Sequence, residues 1–110
     1  MTTVTIYKTV NQEYRGFTCF GHAGYVRRFQ KDILCAGISA LVINTLNSME
    51  ELHHEEMTVV INEKTGFIKC DFTNSLQDAS IILMDSMVFG LQNLSKTYGE
   101  KYLLVNFEEV

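Results

Sequence analysis

Apolar and polar residues alternate in "TVTIYKTV": Val4 and Ile6 fall on one side, Thr5, Tyr7 and Thr9 on the other, which predicts a strand. Asn11-Gln12 makes a short turn, and "EYRGFTCF" continues as a second strand, so the chain opens on a hairpin. From Ile33 to about Leu52 the period changes. Leu34, Ile38, Leu41, Val42, Thr45, Met49 and Leu52 recur at spacings of three and four, with Asn44, Asn47, Glu50 and Glu51 on the other side: an amphipathic helix. "MTVVIN" and "GFIKCDF" flank "EKT" as a second hairpin, with Gly66 supplying the permissive turn residue. "SLQDASIILMDSMVFGLQNLSKTYG" predicts a longer helix, opened by a capping box of Ser75 with Asp78 and closed by Lys96 and Gly99. "KYLLVNF" ends the series as a strand.

The order ββαββαβ predicts an α+β fold: a two-layer sandwich in which two helices cover one face of a mostly antiparallel five-stranded sheet. Residues 1–110 contain no proline, repeat or linker, and a chain of that length suits a single domain with its own core. The second helix is apolar around much of its girth (Ile81, Ile82, Leu83, Met84, Met87, Val88, Phe89, Leu91). The surplus has two readings, a thoroughly buried core helix or a homodimer interface, and the dimer is the expectation.

Charge narrows the partners. A net charge of −4 and a pI near 5.2 give no support for direct nucleic-acid binding. No apolar run reaches transmembrane length, and the start of the chain lacks a charged segment followed by an apolar block; a cytoplasmic protein with no membrane partner is the expectation. Three cysteines, an odd number, argue against a disulfide framework and leave at least one free thiol.

Which thiol is reactive follows from position. Cys19 is in step with Phe17, and Cys70 with Ile68 and Phe72, so both read as small core hydrophobes. Cys35 is different. With Asp32 as N-cap, it becomes the third residue of the first helix, where free amides and the helix dipole favour negative charge. Thiols at helix N-termini or beside a cationic imidazole titrate at roughly 3.5–7.5, and the thiolate is the nucleophile. Cys35 lies at the margin of the apolar stripe and Ser39 further toward the polar side. His22, flanked by Gly21 and Gly24, is the candidate base. Asp32 carries two readings, helix cap and third member orienting His22. One Cys and one His are close to chance in a chain this size; cap, helix start, glycine-flanked histidine and acid together point to nucleophilic catalysis. "AGYVRRFQK", with Arg27, Arg28 and Lys31, reads either as a solvated loop or as a lid over the site. Cys19-x-x-His22 has ligand-like spacing, but no matched second pair accompanies it, and neither metal nor cofactor is expected. A non-enzymatic dimeric binding module is the alternative.

"F-x-G-H-A-G-Y", "K-D-I-L-C-A-G-I-S-A-L" and "G-F-I-K-C-D-F" together resemble the Prp (YsxB-like) family, the ribosomal-processing cysteine proteases of bacteria. The resemblance implies a small homodimeric protease that removes the N-terminal extension of the large-subunit ribosomal protein bL27 during ribosome assembly. It implies His22 as general base, Cys35 as nucleophile, Asp32 in support, and Gly21 and Ser39 at the substrate site. Gln30 stands where the family often has glycine, and the His-to-Cys segment is one residue longer.

Overall fold

A computed structural model describes residues 1–21 and 28–110, and of residues 28–32 the backbone. The elements are β1 (Thr2–Lys8), β2 (Tyr14–Gly21), α1 (Arg28–His53), β3 (Met57–Asn62), β4 (Phe67–Phe72), α2 (Asp78–Tyr98) and β5 (Leu103–Glu109). The five strands form one sheet in the order β3-β4-β2-β1-β5. The pairs β1–β2, β2–β4 and β3–β4 are antiparallel, and β1–β5 is parallel. Two helical crossovers build this order: α1 carries the chain from β2 past the place of β4 to the β3 edge, and α2 carries it from β4 past β2 and β1 to β5, at the edge beside the first strand.

The period-two pattern decides which face is covered. Thr2, Val4 and Ile6 of β1 are buried with Phe17 and Cys19 of β2, Cys70 and Phe72 of β4, and Leu103 of β5. Arg15, Phe20, Lys69 and Asp71 on the opposite face are exposed. Onto the covered face α1 lays Leu34, Ile38, Val42, Leu46 and Met49, and α2 lays Met84, Met87, Val88 and Leu91. Each large side chain fully buried in this layer contributes about 1.5–3 kcal/mol of transfer free energy, which holds the helices down. At the other end of the sheet, the Tyr14 hydroxyl donates to the Asp85 carboxylate, tying β2 to α2. Burial first and Asp85 second push the Tyr14 hydroxyl's pKa well up.

Four expectations are corrected. First, α1 begins at Arg28 and has no acidic residue in its first turn, so Asp32 is its fifth residue and not its N-cap. Arg, Gln and Lys are good helix formers, and no glycine or proline stands between Arg28 and Asp32 to stop the helix extending backwards. The same extension puts Arg28–Lys31, read as loop, into helix. Second, α2 has Gln77 as N-cap with no side-chain cap, so the Ser75–Asp78 box does not form. The end of α1 and the segment after it replace the box: Gln77 N–H donates to Glu55 Oε1 at 3.0 Å, and Gln77 Nε2 to the His53 carbonyl at 2.7 Å. Third, Leu52 is exposed while Leu46 takes its place in the core. Fourth, Ile33–His53 is long and apolar enough to span a membrane by length and mean hydropathy (1.3). Its apolar stripe is the face packed on the sheet, as in a core helix. The predicted turns stand: Gly66 and Gly99 have φ of 68° and 103°, and Gly99 caps α2 through its N–H to the Ser95 carbonyl.

Candidate functional site

The helix layer thins toward β3. On β4, Cys70 and Phe72 are buried, whereas their partners Val59 and Met57 on β3 are half-buried and Ile61 is exposed. A cleft of about 540 Å³ opens where cover is lost, between α1 and the β3–β4 hairpin. Its floor is one rung of the sheet, because Cys19 pairs with Ile68 and Ile68 with Ile61. One wall is α1, contributing Cys35, Ile38, Ser39, Val42 and Ile43. The other is the hairpin end, contributing Asn62, Glu63, Gly66 and Phe67.

Cys35 is the half-buried thiol on this wall, with Ser39 exposed one turn further along the same helix. The two line the cleft together because residues four apart share a helix face. Gly21 joins them from the end of β2. There φ is +93°, and a Cβ would run into the Met1 carbonyl oxygen, so glycine is required by the backbone. The structure thus brings together Cys35, Ser39 and Gly21. His22 and the lid segment through Arg27 lie outside the described residues. Asp32 is placed by its backbone only, three residues before Cys35 on α1.

The longer α1 changes the chemistry available at Cys35. Unpaired amides belong to the first turn of a helix, and the dipole's influence fades within that turn. Cys35 is the eighth residue of α1, so those amides neither stabilise its thiolate nor form an oxyanion hole beside it. A reactive thiolate at this position would therefore need a neighbouring base. Burial pushes the Cys19 thiol up to about 11, and burial with the nearby Asp71 carboxylate pushes Cys70 up to about 12. Both stay protonated near neutrality. All three cysteines are free, and among the described residues no three His, Cys, Asp or Glu side chains converge as metal ligands.

Sequence reasoning missed the hairpin wall and the contribution of Cys19 to the floor. A signal for the first was present in "MTVVIN", which carries apolar residues on both faces of a strand. Such a strand has more apolar surface than one covering layer uses.

Comparison with known proteins follows the same outline. The family model described as Cysteine protease Prp matches residues 1–103. The Ribosomal processing cysteine protease Prp of Bacillus subtilis is 26% identical over 104 residues, covering 91% of this chain and 92% of its own. Its namesake from Staphylococcus aureus is 25% identical over 103 residues, covering 92% and 96%. A crystal structure of the essential ribosomal processing protease Prp from S. aureus, with a covalently linked product peptide, has a TM-score of 0.88 at 22% identity and covers 98% of this chain and 100% of that one. The same enzyme with a substrate peptide gives 0.87 at 21% identity, over 98% and 100%. These structures share the fold of this chain.

Proposed function

The chain belongs to the cysteine protease Prp family, and on that premise we propose that Cys35 is the nucleophile and His22 the general base. The observation that carries the proposal is Cys35 on the wall of a cleft floored by apolar side chains, with Gly21 at its mouth leading directly into His22. His22 takes the thiol proton, and the thiolate attacks the scissile carbonyl carbon. The C–N bond breaks as His22 returns the proton to the leaving amine, leaving a thioester. Water, deprotonated by His22, then hydrolyses the thioester and frees Cys35. Asp32 stands three residues before Cys35, the spacing of one helix face, which supports an orienting role in place of the lost cap. The Ser39 hydroxyl lines the same cleft and serves substrate binding.

The substrate we infer is the N-terminal extension of ribosomal protein bL27. Two features support it: the curated relatives are ribosomal processing proteases, and an acidic chain of net charge −4 suits a basic ribosomal protein. Three free thiols fit a cytoplasmic location. A homodimer through the exposed face of α2, where Ile82 and Phe89 are each 67% exposed, completes the reading.

The test is cleavage of extended bL27 by the purified chain and by Cys35→Ala and His22→Ala. Cys35→Ala should abolish cleavage, and His22→Ala should slow it at least about a hundredfold. Cleavage by either variant at the normal rate overturns the mechanism.

A further inference from the structure

The cleft is apolar along its floor and carries, among its described lining residues, a single charged side chain, Glu63. Glu63 sits in the turn between β3 and β4, across the cleft from Cys35. That turn is pinned. Asn62 Oδ1 accepts from the Lys64 N–H at 3.0 Å and the Thr65 N–H at 3.3 Å, and Thr65 Oγ1 donates to the Asn62 carbonyl at 3.4 Å. The backbone that presents Glu63 is therefore held in one place relative to the floor. The carboxylate itself is uncommitted: among the described residues the one ion pair joins Lys69 to Asp71, at 3.7 Å. Lys64, its neighbour in the turn, does not line the cleft.

We propose that Glu63 is a specificity-determining residue, whose carboxylate selects peptides that carry a lysine or arginine at one fixed distance from the cleaved bond. The proposal rests on reading the cleft as the peptide site of the protease. An extended peptide advances about 3.3 Å per residue, so once its scissile carbonyl is held at Cys35 only one position presents its side chain to the hairpin turn. A cation placed there meets a carboxylate with no ion-pair partner among the described residues, above an apolar floor, while an acidic side chain is repelled. Glu63 is solvent-exposed, so the preference is modest and weakens with salt.

The experiment compares the unmodified chain with Glu63→Gln and Glu63→Lys on two substrates: a peptide mixture randomised around the cut, read by mass spectrometry, and the extended bL27 peptide. The expected result is an enrichment of about two- to fivefold for Lys or Arg at a single position, the worth of one exposed ion pair. Glu63→Gln should lose it, and Glu63→Lys should favour Asp or Glu at the same position. Unchanged enrichment in Glu63→Gln, or none in the unmodified chain, overturns the proposal. No cleavage of the mixture at all overturns it together with the protease reading. Cleavage of the mixture with basic selectivity but not of the bL27 peptide retires that substrate and leaves the role of Glu63 standing.

Discussion

Among the three thiols, burial alone separates Cys35 from the other two. Cys19 and Cys70 are buried, and burial pushes their thiols up to about 11 and about 12. Iodoacetamide at neutral pH should therefore label Cys35 alone in the native protein, and all three once urea unfolds it; mass spectrometry reads the difference. The same burial sets an alkaline limit. In the unfolded chain a thiol titrates near about 8.5, below its native value, so above that pH the unfolded state has already lost protons that the native state keeps. Stability is fully present below about 8.5 and falls as pH rises toward the folded values, with Tyr14 adding to the loss in the same direction. Thermal midpoints should be flat near neutrality and decline through this alkaline window. The identities of these residues were legible in the sequence, since alternation placed Cys19 and Cys70 inward. The position of Cys35 relative to the helix start was not, because an Asp that caps well is also tolerated inside a helix that packing sustains.

The two helices meet over glycines that a pattern of apolar spacing overlooks. At Gly90 of α2 a Cβ would stand 3.0 and 3.1 Å from the two methyl groups of Leu41, tighter than most packed carbons, so Leu41 would have to give way. At Gly37 of α1 it would meet Leu94 at 3.5 Å, an ordinary contact. The two positions should respond with opposite signs. Gly37→Ala should stabilise by about 0.5–1 kcal/mol, because glycine inside a helix costs that much backbone entropy. Gly90→Val should destabilise by about 1–3 kcal/mol by overpacking the helix contact. Urea denaturation midpoints with an unchanged slope check both. Boundaries of elements were the least legible feature at this scale. Seven elements in the expected order are present, while both helix starts moved: α1 backwards to Arg28, and α2 to a start tied to His53 at the end of α1 and Glu55 just beyond it.

At the scale of the molecule, the two-layer design leaves one face of α2 without cover. Met84, Met87, Val88 and Leu91 point into the core, whereas Ile82 and Phe89, seven residues apart, lie in solvent. Light scattering should give about twice the chain mass of 12.6 kDa. The double variant Ile82→Glu with Phe89→Glu should give the single mass with an unchanged circular dichroism spectrum. A dimer that survives both charges would locate the interface elsewhere.

Residue spacing alone determined the α+β class, the succession of strands and helices, the inward direction of Cys19 and Cys70, and the candidacy of Cys35 with Ser39. Those properties depend on local periodicity, which is written in the order of the residues. The cleft itself came only from tertiary structure. Ile61, Asn62 and Glu63 are distant in sequence from Cys35 and face it because β4 inserts between β2 and β3 while the helices leave the β3 edge thinly covered. Strand order and helix cover are set by how whole elements pack, and no window of neighbouring residues encodes them.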